Sequence, residues 1–163
     1  MDAGACGIVL AGGAGRRFGS AKQLADLGGR PLLQWALDGA LAAGGLDRVV
    51  LVLGAQADAV RARIDPGRAE VVACDEWEEG MAASLRRGVA AAGGAAWIVV
   101  VLGDQPLLGA AAIDAVAGAA RGAPPEVLAV RGRWGGRPGH PVALRAELAP
   151  RLAALRGDAG PLE

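Results

Sequence analysis

The chain has 163 residues, 53% of them hydrophobic but only 3% aromatic, and its 17 basic and 17 acidic residues cancel to a formal net charge of +0. That length fits one domain able to bury on the order of two thirds of its surface, with a core built from Ala, Val and Leu at close range. The scattered, balanced charge excludes a nucleic-acid surface that works by neutralising many phosphates, and the lack of a long uncharged apolar segment or a basic-then-apolar leader argues for a cytoplasmic protein with no membrane partner.

The first element is the apolar run Ile8, Val9, Leu10, which passes directly into a glycine-rich stretch, so that residues 7–22 read GIVLAGGAGRRFGSAK. A buried strand that delivers a cationic glycine loop at its carboxyl end is how an open α/β sheet grips a phosphorylated ligand. This loop therefore reads as a triphosphate cradle. Lys22 sharpens the reading, because it is the one lysine among 17 basic residues. A phosphate site uses lysine as a compact point charge and arginine as a planar fork, and this loop carries both. Two familiar phosphate loops are excluded. A P-loop ends in Gly-Lys-Ser/Thr, which Gly19-Ser20-Ala21-Lys22 does not supply, and Gly13, Gly15 and Gly19 miss the G-x-G-x-x-G spacing by one residue. The dinucleotide fold also wants an acidic residue after its second strand, where this chain has Gly54 and Ala55, so neither a P-loop ATPase nor a dehydrogenase is expected.

After a turn at Gly28-Gly29-Arg30-Pro31, apolar residues at helical spacing over 32–43 predict a crossover helix that stops at Gly44-Gly45. Residues 48–53 form a continuous apolar run, the mark of a strand buried on both faces. A short helix over 57–64, a strand over 69–73 and a helix over 81–92 continue the alternation. The run 96–102 is the most apolar in the chain and is expected to be the central strand, ending in Gly103-Asp104-Gln105-Pro106. A small-residue helix follows over 110–120, then a strand over 127–130, a loop dense in glycine and proline over 133–142, and a last helix over 145–155. Cys6 and Cys74 lack C-x-x-C spacing and histidine partners, so reduced core cysteines are expected.

Asp104 follows a wholly apolar strand, so its carboxylate emerges at that strand's carboxyl end, the same rim as the glycine loop. One aspartate there would anchor a hard cation such as Mg²⁺ together with substrate phosphates. Ser84 lies where a helix begins, at Gly80-Met81-Ala82-Ala83-Ser84, a place suited to an anion or a base edge but equally to a local backbone bond. His140, the one histidine, has no sequence neighbours from which to assemble a triad or a metal cluster, and either contacts substrate or braces its loop. Trp77 sits in the acidic segment Asp75-Glu76-Trp77-Glu78-Glu79, where it reads as a hydrophobic anchor.

The stretches LAGGAGRRFGSAKQL, WEEGMAASLRRG, LGDQP, GRPGHPV and LRGDAG, in that order and over nearly the whole chain, resemble the MobA-like nucleotidyltransferases, most closely the molybdenum cofactor cytidylyltransferases. The resemblance implies a three-layer α/β/α Rossmann-like fold with a mostly parallel sheet, and transfer of a nucleoside monophosphate from CTP or GTP to the phosphate of molybdopterin, with pyrophosphate released. It implies that Leu10 and Ala11 bind the nucleotide, that Gly12, Gly13, Gly15 and Arg17 wrap the triphosphate, and that Lys22 meets the phosphates. Asp104 would hold Mg²⁺, the turn of Gly80, Met81 and Ser84 would face the nucleoside, and Gly139, His140 and Asp158 would border the acceptor. Lys22, Arg17 and Asp104 would carry the catalysis, since joining two anions in line needs charge neutralisation and geometry, and no protein nucleophile.

The four residues Leu10-Ala11-Gly12-Gly13 stand where cytidine-specific members usually carry Leu-Ala-Ala-Gly, so CTP and GTP both stay open. Family members also continue past the G-D-x-G motif to a segment that supplies a second acidic ligand, and the resemblance implies a single domain lacking it. Two other functions fit the same residues: a nucleotidyltransferase for a sugar phosphate or other small phosphate, and a non-catalytic nucleotide- or cofactor-binding chaperone for a molybdoenzyme.

Overall fold

In a computed structural model, which describes residues 4–14 and 21–162, the first apolar run forms strand β1 (Ala5–Ala11), buried at every position. A single 3-10 turn (Lys22–Leu24) and a two-residue hairpin, β2 (Asp26–Leu27) with β3 (Arg30–Pro31), lead into α1 (Leu32–Ala42). The alternation continues through β4 (Arg48–Leu53), α2 (Ala57–Arg61), β5 (Glu70–Ala73), α3 (Met81–Ala91), β6 (Trp97–Leu102) and α4 (Gly109–Arg121). The chain then turns antiparallel in β7 (Ala129–Trp134) and β8 (Arg137–Arg145) before a short α5 (Ala149–Ala153).

The six long strands make one sheet in the order β5-β4-β1-β6-β8-β7. Strands β5, β4, β1 and β6 are parallel neighbours, with Ile8 beside Val50 on one side and Val100 on the other, while β8 runs antiparallel to β6. The runs over 48–53 and 96–102 are buried on both faces because the sheet is covered on both. On one side Val9, Leu51, Val99 and Val101 pack under Leu33 and Leu37 of α1, Val60 of α2 and Ile113 of α4. On the other, Ile8, Val52, Val100 and Val142 pack under Ala83 and Leu85 of α3 and Leu152 of α5. Each large aliphatic side chain fully buried in these layers contributes about 1.5–3 kcal/mol. The fold is therefore three-layer α/β/α with a mostly parallel sheet, and among the described residues no helix is long and apolar enough to cross a membrane.

Helix α3 lies close to the sheet at Gly88, where an added Cβ would stand 2.5 Å from Ile8 Cγ2 and 3.1 Å from Val52 Cγ2. Both neighbours are locked in the core, so Gly88→Ala is expected to cost about 1–3 kcal/mol, read as an earlier denaturant midpoint at unchanged slope. An unchanged midpoint would show that the helix can retreat freely.

Two expectations are corrected. Residues 133–142 form no loop. The pair Gly135-Gly136 has φ +56° and +81°, the backbone of a tight two-residue hairpin turn, so this glycine pair joins β7 to β8. Proline is tolerated there because β7 is the sheet edge and the register slips between Arg131 and Gly132, leaving Pro141 in the irregular part of the ladder. The last helix is also shorter than residues 145–155. Strand β8 runs to Arg145, a 3-10 turn covers Ala146–Leu148, and Pro150 sits in the first turn of α5, the helix position where its missing N–H costs least.

Candidate active site

The chain leaves β1 towards β4 on one side, while β6 flanks β1 on the other, so a crevice opens at the carboxyl ends of these strands. Strands β4 and β6 end in a glycine for lack of space. A Cβ on Gly54 would lie 2.6 Å from both the Gly12 carbonyl oxygen and Trp77 Cβ, and one on Gly103 would lie 2.9 Å from the Leu10 carbonyl oxygen. The Gly103 N–H donates to Leu10 O at 2.8 Å, and the Ala55 N–H donates to Gly12 O at 3.2 Å. These bonds draw the loops after β1, β4 and β6 onto one another.

The resulting cavity of about 460 Å³ is lined by Leu10, Ala11, Gly12, Gly13, Lys22, Gly80, Met81, Ser84, Asp104 and Asp158, every one of them singled out in the sequence. Gly15 and Arg17 lie outside the described residues. Gly139 and His140 do not line this wall. The Lys22 ammonium donates to Asp104 Oδ2 at 3.0 Å across 82 residues of chain, and both side chains are 44% exposed. A pair so open to water adds little stability. Its significance is position, a cation and a carboxylate side by side where the glycine turn meets the end of β6.

The far wall is built at the start of α3. The Ala82 N–H donates to Gly157 O at 3.0 Å, seating the Gly157-Asp158 segment over Gly80. Arg86 ties this segment to the acidic loop, donating to Leu155 O at 2.9 Å and pairing with Glu79 at 2.7 Å. Ser84 is buried against Gly12, whose hydrogen faces its hydroxyl. Burial pushes the Cys74 and Cys6 thiols up, and both are free, in keeping with reduced core cysteines. Trp77 anchors the acidic loop against the core and also faces the cavity.

Among the lining residues that escaped the sequence reading, two carry polar side chains. Gln23 is buried, and its amide bridges two carbonyls of the glycine turn. The only signal for it was its place directly after Lys22. Glu78 faces the cavity from the acidic loop. Among the described residues no group of three His, Cys, Asp or Glu is gathered so as to hold a metal ion. Asp104, Glu78 and Asp158 all line the cavity, and a carboxylate at such a place suits a Mg²⁺ or Mn²⁺ ion that draws its other ligands from phosphate and water.

His140 is half-buried, and its Nε2 has no partner among the described residues. Burial and the Arg131 guanidinium lower its pKa below the usual 6.5, and the Asp104 carboxylate opposes them in part. A lowered folded pKa means that the unfolded chain takes up the proton first, so stability falls as pH drops below about 6.5, by at most ~1.4 kcal/mol per pH unit. His140→Gln is expected to flatten this part of the stability profile. Equal acid slopes in the two proteins would contradict it.

Comparison with known proteins agrees with this geometry. The chain is 37% identical to nicotine blue oxidoreductase of Paenarthrobacter nicotinovorans over 94% of its own length and 78% of that protein. It is 37% identical to 2-C-methyl-D-erythritol 4-phosphate cytidylyltransferase of Rhodococcus opacus over 57% of its length and 41% of the relative's. Among solved structures, Rv0371c of Mycobacterium tuberculosis superposes with a TM-score of 0.87 at 33% identity, covering 97% of this chain and 79% of that one. A manganese complex of Rv0371C gives 0.81 at 30% identity, over 95% and 78% of the two chains. A nucleotidyl transfer enzyme from Methanothermobacter, Mth528, gives 0.76 at 29% identity, over 97% and 79%. The MobA-like NTP transferase domain matches residues 7–163, and a sheet, glycine turn and rim carboxylate of this kind are what that match spans: the chain belongs to the MobA-like NTP transferase family.

Proposed function

We propose that this domain transfers a nucleoside monophosphate from a nucleoside triphosphate to a phosphate-bearing acceptor and releases pyrophosphate. In its specific form the donor is CTP, with GTP as the other candidate, and the acceptor is the phosphate of molybdopterin. One observation carries the reading, the 3.0 Å contact of Lys22 and Asp104 at the mouth of a glycine-lined cavity. Family membership and a cytidylyltransferase among the relatives support it.

Attack of one phosphate on another brings two anions together, so the site must neutralise charge and hold the reacting groups in line. The turn packs against Ser84 at Gly12 and is open at Gly13, which leaves room for phosphate oxygens to approach backbone N–H groups. Lys22, now paired with Asp104, can swing on its flexible stem to the triphosphate. Asp104 would hold a divalent cation, which when bound neutralises phosphate charge. A phosphate acceptor is already largely ionised at neutral pH, so no side chain has to remove a proton from it, and the neutral His140 is not needed as a base.

A small polyol or sugar phosphate is the second acceptor reading, favoured by the erythritol-phosphate cytidylyltransferase among the relatives. The name of the nicotine blue relative raises an oxidoreductase reading, which a parallel incubation with a reduced nicotinamide nucleotide and a redox dye as electron acceptor tests. The purified protein is incubated with Mg²⁺ or Mn²⁺, with CTP or GTP, and with molybdopterin or a polyol phosphate, and pyrophosphate is measured. Release that requires both nucleotide and acceptor is expected, and the productive pair names the substrates. Nucleotide binding without pyrophosphate from any acceptor would leave a binding module. Oxidation of a reduced nicotinamide nucleotide in place of pyrophosphate release would overturn the proposal.

A further inference from the structure

Gln23 follows Lys22 on the same 3-10 turn and is buried to 6% exposure under the glycine turn. Its Nε2 donates one hydrogen to Ala11 O at 2.8 Å and the other to Gly13 O at 2.7 Å. Both partners are carbonyls that can only accept, so the amide has one possible orientation. The carbonyl between them, Gly12 O, is held by the Ala55 N–H at 3.2 Å. Three consecutive carbonyls of the turn are thus tied to the protein.

In a planar trans peptide the C=O and N–H point in opposite directions. Holding the carbonyls of Ala11 and Gly13 therefore turns the N–H groups of Gly12 and Ala14 away from the Gln23 amide, along a turn whose three residues Gly12, Gly13 and Ala14 all line the cavity. Parallel N–H groups fixed in advance are what a nest for phosphate oxygens requires, since nothing is then spent on ordering them when the anion arrives. The same 3-10 turn carries Lys22, which bonds Asp104 through its own side chain.

We propose that Gln23 is the positioning residue of the phosphate-binding turn, its carboxamide locking two peptide planes so that their N–H groups face the triphosphate; the inference rests on the nucleotidyl-transfer reading above. Gln23→Met keeps the length of the side chain and loses both donors, while Gln23→Glu keeps its shape and sets a carboxylate against two carbonyls. Calorimetric titration of the wild type and both variants with Mg²⁺–CTP and with inorganic tripolyphosphate tests it. The Met variant is expected to bind both ligands on the order of tenfold more weakly and the Glu variant more weakly still. The nucleotide KM is expected to rise in step, while kcat at saturation stays within about threefold, a split that general destabilisation would not produce. In the unaltered protein, either ligand is expected to shift the backbone amide resonances of Gly12 and Ala14, a readout that needs no variant to fold. Wild-type affinity in Gln23→Met, or amide signals of Gly12 and Ala14 that stay fixed at saturation, overturns the role of Gln23 alone. A wild type that binds neither ligand removes the nucleotide reading with it.

Discussion

Replacing Asp104 with asparagine is expected to slow pyrophosphate release by about three orders of magnitude, with little change in stability. Stability is spared because the carboxylate is nearly half exposed and its ion pair with Lys22 is open to water. Activity is not spared, because the substitution keeps the shape of the side chain and removes the negative charge that a hard cation needs. Of the three carboxylates lining the cavity, Asp104 is the one bonded to Lys22, so the proposed reading assigns the metal role to it. Electron paramagnetic resonance of added Mn²⁺ separates this from a general defect: binding should be lost in Asp104→Asn and kept in the wild type with nucleotide present. A variant within tenfold of the wild-type rate would move the metal role to Glu78 or Asp158.

Lys22→Met is expected to lower kcat/KM by about a hundredfold or more, through both weaker nucleotide binding and slower transfer, since the charge meets phosphate in the ground state and in the transition state. The same variant should change metal binding in the opposite direction. The ammonium stands on Asp104 Oδ2 at 3.0 Å, where it competes with any cation for the carboxylate. Removing it should tighten the binding of Mn²⁺ alone while nucleotide affinity falls. Weaker binding of both would show that the lysine organises the site without competing for the aspartate. Asp104→Asn and Lys22→Met share one contact, so their effects on turnover should combine to less than the product of the single losses.

Much of the architecture was legible because the strands are extreme. Residues 48–53 and 96–102 carry almost nothing polar, and a run of that kind is stable only when covered on both faces, which leads directly to a parallel sheet between helices. The hairpin of β7 and β8 was missed because Gly135-Gly136 and the neighbouring prolines look like loop punctuation when local preference is the guide. Glycines with positive φ serve a tight hairpin turn as well as a loop, and an edge strand with a register slip can absorb proline. In the site, Lys22, Asp104 and the start of α3 stood out by residue type and place. Gln23 did not, because its two partners are backbone carbonyls, which leave no trace in side-chain chemistry.

Taken alone, the order of residues determined that a buried strand runs into a glycine-rich turn holding the chain's one lysine, and that an aspartate caps the most apolar strand. It also determined the alternation of strands and helices, since hydrophobic spacing is a local property of the chain. Only the tertiary structure decided that β1 and β6 are neighbours, and so that a lysine and an aspartate 82 residues apart meet at 3.0 Å. It decided as well that Gly157-Asp158 folds back onto the start of α3 to complete the cavity wall. Strand order and such long-range contacts depend on how helices cover the whole sheet, a balance of packing across the molecule that no stretch of sequence contains by itself.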